Sequence, residues 1–102
     1  MKRTDIIEEI RKVIKKMSPH VEVRLYGSEA RGDASVGSDI DLLILVDKNV
    51  VSVEDELQIA EPLYCIELET GVLINSLILP KKIWGKIVTP FYENVMREGI
   101  LF

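Results

Sequence analysis

The stretch SDIDLLILV, Ser38–Val46, constrains this chain more than any other. From Ile40 to Val46 the only polar residue is Asp41. An apolar run of this length between turn residues reads as a buried central strand, so the rest of the chain must supply the layers that bury it. Two aspartates, Asp39 and Asp41, head that strand. A carboxylate taken out of water is costly unless something pairs with it. Their spacing on a strand puts both on one face, about 7 Å apart. Like charges so placed raise each other's pKa. A hard divalent cation resolves the conflict. Mg²⁺ takes oxygen ligands and commonly uses one or two carboxylates together with substrate phosphates. The pattern therefore points to a metal carrying a nucleotide.

The rest of the chain divides into elements around this strand. Ile6, Ile7, Ile10, Val13, Ile14 and Met17 repeat at helical spacing, predicting a helix from Asp5 to Met17, with Thr4 as N-cap and Ser18-Pro19 as its end. Val21–Tyr26 alternates as a strand with one covered face, and Gly27 ends it. A short helix from Ser28 to Gly32 and a loop, GDASVGS, lead into the central strand. Ser52 and Asp55 resemble a capping box that opens a third helix, whose apolar face is read as Leu57, Ala60, Leu63, Tyr64 and Leu68. Pro62 should kink or split that helix, and Gly71 should stop it. Val72–Leu79 is a third strand. Pro80 opens a short helix holding Trp84, and Thr89-Pro90 caps a last helix that stops at Gly99.

The order α-β-α-β-α-β-α-α predicts an α/β (α+β) fold. With three strands its sheet is small, with helices mainly on one face and the other face partly open for a ligand. At 102 residues the chain is expected to form one domain, residues 1–102. A net charge of −4 excludes a general nucleic-acid binder, which needs a basic surface. The basic run Arg11–Lys16 alternates with helix-spaced apolar residues and reads as the wet side of an amphipathic helix. No apolar run is long enough to span a bilayer, and the amino-terminal residues turn charged too early for a signal core. The single cysteine, Cys65, excludes an internal disulfide, suits a reducing cytoplasm, and reads as a core filler. Phe91–Val95 suits either a cover for the sheet or an oligomer seam.

A second set of residues complements the aspartates. Gly27 and Ser28 follow a strand and open a helix. Glycine lets phosphate approach the backbone, the helix start offers free N–H groups, and Ser28 adds a hydroxyl. Arg31, one turn on, adds a fork suited to phosphate oxygens. Taken together, GSEARGDASVGSDIDLLI resembles the signature of the minimal nucleotidyltransferases of the DNA polymerase beta-like nucleotidyltransferase superfamily. Gly27, Ser28, Ala30, Arg31, Gly32, Asp33, Ser38, Asp39, Ile40 and Asp41 match its pattern in place.

The resemblance implies a compact domain with a small mixed sheet of three to four strands, Mg²⁺ held by Asp39 and Asp41, and a nucleoside triphosphate bound at Gly27 and Ser28, with Arg31 and Ser38 beside it. It implies transfer of a nucleoside monophosphate, AMP from ATP, to a hydroxyl of a protein or small-molecule acceptor. Many such proteins resemble the antitoxin of a two-gene pair whose toxin is a helical HEPN-type RNase. The chain departs from the pattern on the third strand, where active members keep another carboxylate. GVLINSLIL has none. Asn75 is the best positional match and Ser76 the second; an amide is neutral and cannot accept the proton. Glu67 and Glu69, just upstream, read as an exposed helix end. Two readings follow: an adenylylating enzyme, or a catalytically weak module that binds a nucleotide or a partner. A small helical RNase encoded beside this gene would support an antitoxin role.

Overall fold

The computed structural model describes residues 2–17 and 20–102. The expected helix stop at Ser18-Pro19 lies outside the described residues. Helix α1 spans Arg3–Lys15, starting earlier than its apolar periodicity suggests. Thr4 is inside it. Lys2 takes the cap position and donates its backbone N–H to Asp5 Oδ2 at 3.3 Å. Strand β1 is Val21–Tyr26, α2 is Gly27–Arg31, β2 is Ile40–Val46, and α3 is Val53–Thr70. Strand β3 is Ile74–Pro80, followed by a 3₁₀ turn at Lys81–Ile83, α4 at Pro90–Glu98, and a two-residue strand β4, Ile100–Leu101.

The sheet order is β3-β2-β1-β4. β1 runs antiparallel to β2 and β4, and β2 runs parallel to β3. The parallel pair needs a crossover, which α3 supplies. Ile40, Leu42, Ile44 and Val46 face α1 and α3 and form the main core with Ile6, Ile10, Ile59 and Leu63. The alternate residues Leu43 and Leu45 meet Val95 of α4 on the other face. Because α4 covers only part of that face, the Asp39 end of β2 is left open.

Several local expectations change. Pro62 does not split α3, which continues through Thr70. The Ser52–Asp55 capping box forms as read, with Asp55 N–H donating to Ser52 Oγ at 3.1 Å. The buried face of α3, however, is Asp55, Ile59, Leu63 and Ile66; Leu57, Ala60, Tyr64 and Leu68 face outward. Cys65 is exposed and fills no core. Glu67 is not an idle helix end, since its Oε1 accepts the backbone N–H of Ile74 at 2.8 Å and ties α3 to the start of β3.

Candidate active site

Register builds the site. Tyr26, the last residue of β1, pairs with Asp41, and Asp41 pairs with Asn75 on β3. The turn after β1 therefore starts beside the Asp41 carboxylate. Gly27 makes that turn at φ 74°, in the left-handed region, and a Cβ there would overlap Asp41 Oδ2. Two independent constraints thus require glycine: the backbone conformation and the carboxylate packed against it. Ser28 follows, half-buried, in the first turn of α2.

Asp39 lies just ahead of β2 and Asp41 within it, and their carboxylates converge. Asn75 Nδ2 donates to Asp39 Oδ2 at 3.1 Å and to Asp41 Oδ1 at 3.0 Å. The residue chosen from sequence as the neutral third position therefore sits between the two aspartates. Ser76 pairs with Leu42 instead and takes no part. The amide N–H groups offer partial positive charge where two anions meet. This donor set fits a hard divalent cation: two carboxylates address one point, and the Asn75 amide would present its carbonyl oxygen if turned. Among the described residues there is no cluster of three or more His, Cys, Asp or Glu that could hold a metal. With two charged ligands and one neutral one, a cation here would depend on substrate phosphates to complete its shell.

Tyr26 supports the site from below. Its ring meets Phe91 edge-on, with centroids 5.3 Å apart. Burial, and secondarily the Asp41 charge, push its phenol pKa up, so the hydroxyl stays neutral beside the carboxylates. Arg31 and Ser38 are placed differently. Arg31 is exposed and pairs with Asp33 at 3.3 Å and Glu98 at 3.7 Å. It must leave those carboxylates to meet a phosphate. The Ser38 hydroxyl accepts the Ser35 N–H at 2.9 Å and lies 3.0 Å from Ser35 Oγ, closing the loop before Asp39.

Arg3 is the residue that sequence reasoning missed. Its Nε donates to Glu29 Oε2 of α2 at 2.6 Å. Its guanidinium also donates to the carbonyls of Val36, Ser38 and Asp39 at 3.3, 2.6 and 3.3 Å. One side chain on α1 thus ties the phosphate-side helix to the loop that delivers Asp39. A lone arginine more than twenty residues from either partner carries no sequence signal of this role.

The contacts among Asp39, Asp41 and Asn75 are exposed, so these residues line an open shelf. The chain is similar to known proteins in sequence and fold. Residues 7–101 match the family model described as a nucleotidyltransferase domain. The chain belongs to that nucleotidyltransferase family. Two relatives from Methanocaldococcus jannaschii both bear the name "Putative protein adenylyltransferase". One is 35% identical over 81 residues, covering 76% of this chain and 73% of the relative. The other is 33% identical over 101 residues, covering 94% and 97%. Among solved structures, one titled "Structure of putative minimal nucleotidyltransferase" aligns with TM-score 0.64 and 26% identity over 98% of this chain and 95% of its own. A second, titled "Crystal structure of the toxin-antitoxin with AMP-PNP", aligns with TM-score 0.64 over 92% of this chain and 69% of its own. At 18% identity it shows a shared fold. Family and relatives together favour an enzyme over a structural protein.

Proposed function

We propose that this chain, acting as one domain, is a Mg²⁺-dependent nucleotidyltransferase that moves AMP from ATP to a hydroxyl of a protein acceptor. We assign it the antitoxin role in a two-gene pair, with a helical HEPN-type RNase as partner and acceptor in the cytoplasm. The observation that carries the reading is the Gly27–Asp41–Asn75 register, which sets a phosphate-accepting turn against two converging carboxylates. Two further findings support it: the relatives named as protein adenylyltransferases, and a neighbour whose title names a toxin–antitoxin with a nucleotide analogue.

In this reading Gly27 and Ser28 hold the triphosphate by backbone N–H and hydroxyl. Asp39 and Asp41 would hold a Mg²⁺ ion, which would supply charge neutralisation at the phosphates. The acceptor oxygen bonds to the α-phosphorus, the bond to the bridging oxygen of pyrophosphate breaks, and the acceptor's proton leaves to a base. Asn75 cannot be that base. Of the three side chains that converge here, only the carboxylates of Asp39 and Asp41 can receive the proton, and both are also the proposed metal ligands.

The same observation favours a second reading, a catalytically weak module that binds nucleotide or partner without efficient transfer, because the amide holds the position between the carboxylates. Incubation with labelled ATP, Mg²⁺ and the protein encoded next to it separates the readings. Label on the neighbouring protein supports the enzyme. Tight complex formation without label supports the binding module. Calorimetry adds a direct test of the site: Mg²⁺–ATP should bind wild type and fail to bind an Asp39→Ala, Asp41→Ala double variant. Equal binding by both would reject the site.

A further inference from the structure

Helix α3 has a second apolar stripe that nothing among the described residues covers. Val53, Leu57, Ala60, Tyr64 and Leu68 follow one another at helical spacing on its outer side. Val53 is 74% exposed, Leu57 63% and Leu68 69%, values that no buried core explains. At 1.5 Å per residue the ridge is about 22 Å long. Its borders are acidic. Of the helix's 18 residues, six are Asp or Glu and none is Lys or Arg. Among the described residues only one of those acids, Asp55, has an ion-pair partner. An apolar ridge with uncompensated negative rims fits a surface that is apolar with positive rims.

The same chain carries such a surface. Residues 80–88, PKKIWGKIV, hold three lysines and no acid. Ile83, Ile87 and Val88 are exposed there, Ile87 at 78%. Lys81 pairs with Glu22 at 3.3 Å, whereas Lys82 and Lys86 have no ion-pair partner among the described residues. The segment cannot reach its own α3 ridge. It lies beyond the Pro80 end of β3, and its Trp84 packs with Leu43 and Leu45 on the sheet face away from α3.

We infer that the acidic α3 ridge of one copy docks on the basic 80–88 segment of a second copy. The contact is heterologous, since each copy offers a different surface, so it builds open chains or closed rings rather than simple pairs. A single helix ridge of about 22 Å is a narrow contact beside the roughly 800 Å² per partner of a stable interface. Association should therefore be weak, appear only as protein concentration rises, and weaken with salt. The inference does not depend on the transferase reading.

The test is the mass of the purified chain in solution, by light scattering and sedimentation, from micromolar to near-millimolar concentration at low and high salt. Wild type should grow beyond a monomer as concentration rises, and less so in high salt. Leu57→Glu with Leu68→Glu should remain monomeric, and so should Lys82→Glu with Lys86→Glu. All four positions are exposed, so circular dichroism and melting should match wild type. An equimolar mixture of the two variants is decisive. Each retains one intact surface, so the mixture should form one-to-one dimers that neither variant forms alone and that cannot grow further. A wild type that stays monomeric throughout overturns the inference. So does a lysine variant that still self-associates, because α3 would then pair with itself, and so does a mixture that stays monomeric.

Discussion

Two acidic sites in this molecule treat their charge in opposite ways. Asp55 is 5% exposed and fully provided for. Its Oδ2 accepts the Ser52 N–H at 3.1 Å, and its Oδ1 accepts Lys48 Nζ at 2.9 Å. The Lys48 hydrogen bond, and then that of Ser52, hold its carboxyl below the usual carboxylate range. Asp39 and Asp41 sit in a more open place, yet no cation of the chain pairs with either among the described residues, and they share one neutral amide. Asp55 is a finished structural joint that caps a helix. The shelf has charge left over, and leftover charge at fixed geometry is what binds a ligand from outside the chain.

The sharpest way to break that contrast is to add charge to the shelf. Asn75→Asp puts a third carboxylate between two others and supplies the missing base. We expect transfer to rise about 10²–10⁴-fold, the usual contribution of general acid–base catalysis, with similar nucleotide affinity. The apoprotein should melt lower, because three carboxylates without a cation repel, and Mg²⁺–ATP should recover the loss by mass action. If wild type already turns over at ordinary enzyme rates and Asn75→Asp changes nothing, the amide is no defect and the weak-module reading fails.

Next in size is Gly27→Ala. A left-handed backbone costs an L-residue about 1–2 kcal/mol, before the overlap with Asp41 is counted. We expect destabilisation of at least that size in denaturant unfolding, together with loss of Mg²⁺–ATP binding, since Asp41 must move. Gly32→Ala makes a useful control. It has a similar positive φ, 81°, but nothing within 4 Å of a Cβ, so it should pay the backbone cost and keep nucleotide binding.

At the structural joint the outcome should reverse. Asp55→Asn should lower the melting temperature by several degrees and leave Mg²⁺–ATP binding unchanged. The pH dependence follows from the depressed carboxyl. Asp55 contributes its full stability above the unfolded-state pKa, about 3.9, and loses it as pH falls from there through the lower folded-state value. Melting of wild type between neutral and strongly acidic pH should show an acid-side loss that Asp55→Asn lacks. Identical acid limbs would mean that another carboxylate governs acid unfolding.

Sequence and structure agree best where local chemistry and fold demand the same residue. Gly27 is needed for its φ and for the carboxylate behind it, and Asn75 is fixed by parallel register with Asp41, so both were legible. The orientation of α3 was not. The helix has two apolar stripes, one through Ile59, Leu63 and Ile66 and one through Leu57, Tyr64 and Leu68, and periodicity alone cannot say which meets α1. Tertiary packing decides it: Ile59, Leu63 and Ile66 join the core with Ile6 and Ile10 of α1, an outcome the capping box, being local to the helix start, does not fix. Likewise Pro62 reads as a breaker by propensity, but the tertiary contacts on either side keep α3 continuous. Strand β4, with two residues, is too short to leave a pattern.

The smallest effect we predict tests whether the shelf is held or merely present. Arg3 lies on α1, and its guanidinium reaches Glu29, Ser38 and Asp39 by side-chain or carbonyl contacts without touching the candidate metal position. Its half-buried ion pair and carbonyl bonds should contribute on the order of 1 kcal/mol each before the entropy of ordering the side chain is subtracted. Arg3→Met keeps the apolar stem against α1 and removes the fork. We expect a modest drop in melting temperature and about a tenfold loss in Mg²⁺–ATP affinity, the loss that about 1.4 kcal/mol of misplaced ligand geometry produces. Arg3→Lys can pair with Glu29 but cannot also span both carbonyls, so it should restore the melting temperature better than the affinity. That split is what distinguishes positioning from support. If Arg3→Lys recovers both in proportion, Arg3 only braces the fold. If neither variant alters nucleotide affinity, the Asp39 loop is positioned by its own Ser35–Ser38 closure.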